Sequence, residues 1–68
     1  MNNIHTFRLK CKLTQTQLAM LLNIKQSTVA KWETSESLPR ADKLPELARI
    51  LGCSIDELFK GGEEFVQK

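Results

Sequence analysis

The residues best suited to nucleophilic or metal chemistry are Cys11, Cys53 and His5. A thiolate beside an imidazole is a nucleophile with its base. No spacing holds these three together, and a single histidine with no CxxC pair makes no metal set. Paired carboxylates in a cleft and a glycine-rich phosphate loop are absent too. An enzyme, a metal and a cofactor are therefore not expected. Two cysteines are too few for a disulfide scaffold. They read as free thiols, with Cys53 packed as a small hydrophobe. Charge is the chemistry that remains. Residues 1–40 carry Arg8, Lys10, Lys12, Lys25, Lys31 and Arg40 against Glu33 and Glu36, a balance of +4. Residues 41–68 carry Lys43, Arg49, Lys60 and Lys68 against Asp42, Glu46, Asp56, Glu57, Glu63 and Glu64, a balance of −2. A basic half beside an acidic half suits an anionic partner for the first half.

Sixty-eight residues with 41% hydrophobic and 26% charged side chains form one small domain. Such a chain buries only about 60% of the surface its unfolded form exposes, which leaves no room for a large cleft. No apolar run is long enough to span a membrane. Met1-Asn2-Asn3-Ile4-His5 lacks the basic-then-apolar pattern of a signal peptide, so the expected compartment is the cytoplasm, at the nucleoid.

The patterning is helical throughout. Ile4, Phe7 and Cys11 recur on one face, with His5 at the surface. Thr14 and Gln17 form a capping box that opens a helix carrying Leu18, Ala19 and Leu22. A further helix places Val29 and Trp32 inward. In phase with Val29, Trp32 reads as core rather than as a base-stacking platform. Ser35 to Arg40 is a loop, since proline disfavours helix at the residue before it. Asp42 is the expected N-cap of a fourth helix with Pro45 in its first turn, Leu44, Leu47, Ala48 and Leu51 inside, and Gly52 as its stop. Ser54 and Glu57 form a second capping box, opening a short helix with Ile55, Leu58 and Phe59 inside. Gly61-Gly62 closes the domain, residues 1–62, and residues 63–68 form a tail.

Only three residues join the helices over residues 15–22 and 26–34. So short a connection demands a small residue at the crossing, which Ala19 supplies. It also demands a residue that accepts φ > 0, which Asn23 does. Leu18, Ile24, Val29 and Trp32 fill the angle. Together these specify a helix-turn-helix.

Gln15-Thr16-Gln17-Leu18-Ala19, then Asn23-Ile24, then Ser27-Thr28-Val29-Ala30-Lys31-Trp32-Glu33 resemble the Cro and phage-repressor class of helix-turn-helix DNA-binding domains. The likeness continues through Pro39, Leu44–Leu51, Gly52 and Ser54-Ile55-Asp56-Glu57-Leu58, and so covers residues 4–61. It implies an all-α, five-helix bundle of the lambda-repressor type with a central helix-turn-helix. It also implies that residues 26–34 enter the major groove, N-terminal end foremost. Gln26, Ser27, Ala30 and Lys31 then face bases: Gln26 an adenine, Lys31 a guanine or a phosphate, Ala30 a thymine methyl. Thr34 shares that outward face. Gln15, Lys25, Thr28 and Arg40 are the implied phosphate contacts. Arg8 and Glu33 occupy the positions of a structural ion pair between the first and third helices.

The chain departs from the family's pattern at several points. Asn23, Lys12 and Ser35 stand where the family favours glycine. Lys25 stands where it often has a hydroxyl cap, and a lysine cannot cap. Met20 is apolar at an often polar position beside Leu21, and with Phe65 and Val66 of the tail it suggests an extra apolar surface. The implied function is sequence-specific binding of double-stranded DNA by a transcriptional regulator, a repressor, acting as a homodimer on a palindromic operator. Ile55, Leu58 and Phe59 are the expected dimer surface. The alternative is an antitoxin or other protein-interaction module, with a toxin or another protein as main partner and DNA binding as autoregulation.

Overall fold

The computed structural model describes residues 2–59. Among them are five α-helices and no strand: α1 Ile4–Lys10, α2 Gln15–Leu22, α3 Gln26–Glu33, α4 Leu44–Leu51 and α5 Ile55–Phe59, with a 3₁₀ turn at Ala41–Lys43 before α4. Gly61-Gly62 and the 63–68 tail, including Phe65 and Val66, lie outside the described residues.

Capping places these helices where the sequence asks for them. The Thr14 hydroxyl accepts from the Gln17 N–H at 3.0 Å, and the Gln17 carboxamide accepts from the Thr14 N–H at 2.8 Å. Ser54 and Glu57 repeat that reciprocal pair at 3.0 and 2.8 Å. The fourth helix departs from expectation, because Asp42 is not its cap. Asp42 lies inside the 3₁₀ turn, and Lys43 precedes α4 without a side-chain cap. An N-cap oxygen satisfies the N–H two or three residues on, and three residues after Asp42 is Pro45, which has none.

Helices α1 to α4 end in the same way. A residue in the left-handed region is followed by an N–H that reaches back five positions to a carbonyl, the helix stop usually built with glycine. The four bonds run from Leu13 to Arg8, Ile24 to Ala19, Glu36 to Lys31 and Cys53 to Ala48, at 2.9–3.1 Å. Their left-handed residues are Lys12 (φ 59°), Asn23 (φ 60°), Ser35 (φ 64°) and Gly52 (φ 70°). The backbone therefore keeps the glycine conformation where the glycine itself is missing. Asn tolerates this region; for Lys and Ser it carries a cost of the order of 1 kcal/mol. Lys12→Gly and Ser35→Gly are each expected to raise stability by up to about 1 kcal/mol, or ~4–8 °C in a domain this size. Asn23→Gly is expected to change it less. Thermal melts of the three variants check the ranking, and a lower melting temperature for Lys12→Gly would contradict it.

The core gathers Ile4, Leu18, Ala19, Leu22, Val29, Trp32, Leu47, Ala48, Leu51 and Leu58. Trp32 is buried, as its phase with Val29 requires. Ala19 at the crossing is buried as well, which lets α2 and α3 approach. Three expectations are corrected. Cys11 is exposed, because α1 stops at Lys10; its thiol donates to the Leu51 carbonyl at 3.5 Å instead of joining the inner face. Ile55 is exposed rather than inside. Leu58 is fully buried within the chain, so it is not available to a dimer surface. Met20 and Leu21 are exposed, as an extra apolar surface on α2 requires.

Two asparagines ahead of α1 fasten it to the rest. The Asn2 side chain accepts from the Ile4 N–H at 3.0 Å and donates to the Trp32 carbonyl at 2.8 Å, at the end of α3. The Asn3 N–H donates to the Leu58 carbonyl, and its side chain donates to the Glu57 carbonyl at 2.8 Å.

Candidate nucleic-acid interface

Helix α3 divides cleanly between scaffold and surface. Val29 and Trp32 are buried; Gln26, Ser27, Lys31 and Thr34 are exposed, and Ala30 is half-buried. Lys25 precedes the helix in extended backbone (φ −83°, ψ 148°) with no side-chain cap, as expected of lysine at a capping position. Lys25 and Arg40 are exposed; Gln15 and Thr28 are half-buried. Arg40 follows the buried Pro39 and starts the 3₁₀ turn, the Lys43 N–H donating to its carbonyl at 2.9 Å.

Behind this face lies the charged pair. Only 9% of the Arg8 side chain and 6% of the Glu33 side chain are exposed. Arg8 Nε donates to Glu33 Oε2 at 2.6 Å and Nη2 donates to Oε1 at 3.2 Å, the two-pronged geometry that a guanidinium and a carboxylate favour. Arg8 Nη1 donates to the Leu13 carbonyl at 2.8 Å. The pair thus joins α1, the α1–α2 loop and α3. Burial by itself would push the Glu33 carboxyl up. Hydrogen bonds from Arg8, Gln15 and His5, with the Arg8 charge, outweigh it and hold the carboxyl below its ordinary value.

His5 joins this cluster, which its surface position did not announce. Its Nδ1 lies 3.1 Å from Glu33 Oε1 and 3.0 Å from Arg8 Nη2. With a proton it donates to the carboxylate; without one it accepts from the guanidinium. The signal was its place three residues before Arg8, on the same helical face.

The structure also brings two site candidates together across the helix-turn-helix. Gln15 Nε2 donates to Glu33 Oε1 at 3.0 Å, and Gln26 Nε2 donates to Gln15 Oε1 at 2.6 Å. The expected phosphate contact and the expected adenine reader are therefore one hydrogen-bonded unit, anchored on the ion pair. Ser27, Ala30 and Lys31 extend the same helix beyond that unit. Among the described residues, no group of three or more His, Cys, Asp or Glu is placed to hold a metal ion.

A helix-turn-helix family model matches residues 4–58. The repressor protein C2 of Salmonella phage P22 is 34% identical over 58 residues, covering 85% of this chain and 27% of that protein. The HTH-type transcriptional activator BcrR of Enterococcus faecalis is 35% identical over 51 residues, covering 75% of this chain and 25% of that protein. A 26 kDa repressor protein of Escherichia phage HK022 is 42% identical over 40 residues, covering 59% of this chain and 17% of that protein. The chain thus spans about a quarter of the length of the first two relatives.

Proposed function

The chain belongs to the helix-turn-helix family, and from that premise we propose that it is a transcriptional regulator binding double-stranded DNA sequence-specifically through α3 in the major groove. The observation that carries this reading is the division of α3. Its buried side is locked to the scaffold, and its exposed side presents Gln26, Ser27, Ala30 and Lys31 in helical register. In this reading those four residues face bases. Gln26 matches the N6 and N7 of adenine, and Lys31 the N7 and O6 of guanine. Gln15, Lys25, Thr28 and Arg40 hold phosphates and set the register of the helix on the duplex.

The protein acts as a homodimer, and its operator is a palindrome with half-sites about 34 Å apart, one turn of DNA. Ile55 is the exposed apolar residue of α5 from which a dimer surface would be built; Leu58 takes no part. Repression follows from occupancy of the operator. Two relatives bear the name of a repressor and one that of an activator, so both signs of regulation are found around this domain.

Selection from a pool of random duplexes with the purified chain tests this function. The expected result is a two-fold symmetric consensus with an adenine that loses its preference in Gln26→Ala. No enrichment over the input pool would overturn the reading and favour a protein as the main partner.

A further inference from the structure

Two thiols far apart in sequence are brought to one place, where α1 ends and α4 turns into α5. Cys11 follows α1 as its C-terminal cap residue, and Cys53 sits in the link between Leu51 and Ile55. The Cys11 Sγ donates to the Leu51 carbonyl at 3.5 Å and lies 4.0 Å from the Ile50 carbonyl. Gly52 then turns the chain in the left-handed region, and the Cys53 N–H reaches back to the Ala48 carbonyl at 3.0 Å. Cys53 is thereby folded back on the same helix end that holds the Cys11 thiol. The two differ in access: Cys11 is exposed, and Cys53 is half-buried against the core. Burial pushes the Cys53 thiol up, and the Glu57 carboxylate and the Cys11 thiol push it further, so the two sulfurs are near enough to feel each other's charge. Neither residue lies within a helix, so the adjustment that the specific geometry of an S–S bond asks for falls on loop backbone.

We propose that Cys11 and Cys53 form a dithiol site that a small-molecule disulfide oxidises to an internal disulfide, locking the end of α1 to the α4–α5 link. The exposed Cys11 reacts first. Its thiolate attacks one sulfur of the small disulfide, whose S–S bond breaks, and one small thiolate leaves. The Cys53 thiol then gives its proton to solvent and attacks Cys11 Sγ. The internal bond forms, and the second small thiolate leaves. The protein gives up two protons and two electrons, and the small disulfide becomes two thiols. The new bond closes a ring over residues 11–53, which contains α2, α3 and α4 entire. A cross-link over so long a loop takes more freedom from the unfolded chain than from the folded one. Neither cysteine belongs to α3 or to the turn before it, so oxidation acts on the lifetime of the folded domain and not on the exposed face of α3. A reductant reverses it.

The test incubates the full chain, folded and without denaturant, with oxidised glutathione. Remaining thiols are then alkylated, and the products are read by intact mass and by thermal melting. The expected product is a monomer with both thiols lost and no glutathione retained. It should melt about 10 °C or more above the reduced chain, and dithiothreitol should return it to the reduced melting temperature. Cys53→Ser should stop at the first step, with one glutathione held on Cys11, and should melt like the reduced chain. Cys11→Ser, which leaves only the half-buried thiol, should take up glutathione more slowly than Cys53→Ser. Four results would overturn the proposal: two unreacted thiols, a glutathione on each thiol, covalent dimers as the main product, or an internal disulfide that leaves the melting temperature unchanged or lower. The first three mean that the folded chain does not bring the sulfurs together. The fourth means that the bond forms only at the expense of the fold.

Discussion

Replacing Arg8 with methionine is expected to bring the domain close to its unfolding midpoint at 25 °C. The loss should be roughly 3–5 kcal/mol, because Glu33 keeps its charge with its main partner gone. A domain of this size has a total stability near the low end of about 5–15 kcal/mol, so the change consumes most of it. Both side chains are nearly inaccessible, and the guanidinium also holds the Leu13 carbonyl that follows the left-handed Lys12. The loss therefore reaches α1, its loop and α3 at once. Replacing both partners together, Arg8→Met with Glu33→Leu, should restore most of the stability, since no uncompensated charge stays buried. Chemical denaturation of the three proteins checks this ordering. Acid supplies a second measurement. Glu33 has a folded-state pKa lowered from an ordinary 4.5, so its stabilisation is fully present above 4.5 and is lost as the pH falls below that, through the folded value. The denaturation midpoint should fall on acidification below that point, and this component of the fall should be missing from the double variant. An Arg8→Met chain that melts like the wild type but loses DNA affinity would move Arg8 from the scaffold to the phosphate contacts.

The same pair shows what was legible in the sequence. Helix limits at Gln15, Gln26 and Ile55 follow from local chemistry: a Thr or Ser cap, a returning Gln or Glu, and an Asn that tolerates positive φ. These signals act within four residues, and each is present in the fold. The expected Asp42 cap is absent because Asp42 lies inside the 3₁₀ turn, and one of the two N–H positions a cap there could reach is taken by Pro45, which has none. Arg8 is the deeper case. It follows Ile4 by four residues and is buried beside it, yet periodicity assigns such a stripe to apolar residues, and an arginine there reads as surface. Only the resemblance to the phage-repressor class paired it with Glu33. The hydrogen bonds from Gln15 to Glu33 and from Gln26 to Gln15 span 18 and 11 positions. No spacing rule reaches that far, because the contact exists only once α2 and α3 have crossed at Ala19. Thus the elements were readable from neighbours in sequence, while the polar network that couples the interface to the core was set by the crossing.

That division bears on Lys25, where stability and binding are expected to pull apart. The residue sits in the extended backbone of an N-cap with no side-chain bond. It also places a positive charge at the positive end of the α3 dipole, which disfavours the helix in the free protein. Lys25→Ser supplies the missing cap and should stabilise the fold by about 1 kcal/mol. In the proposed complex the same lysine would answer a phosphate, whose negative charge suits both the lysine and the helix end. In the proposed dimer, Lys25 and Arg40 from each protomer neutralise about four phosphates, giving a slope of log K against log salt near −3.6. Between 50 and 200 mM salt, affinity should then fall by roughly 150-fold. Lys25→Ser removes two of those contacts and should flatten the slope by about 1.8 while raising the melting temperature. Anisotropy titrations over a salt series, with thermal melts of the same samples, measure both. A slope unchanged in Lys25→Ser would take Lys25 off the phosphate backbone, and a wild-type affinity indifferent to salt would remove the electrostatic basis of the DNA-binding reading. The expected pairing, a more stable chain that binds less tightly, would place the missing cap among the features through which the interface trades folding free energy for contact with its partner.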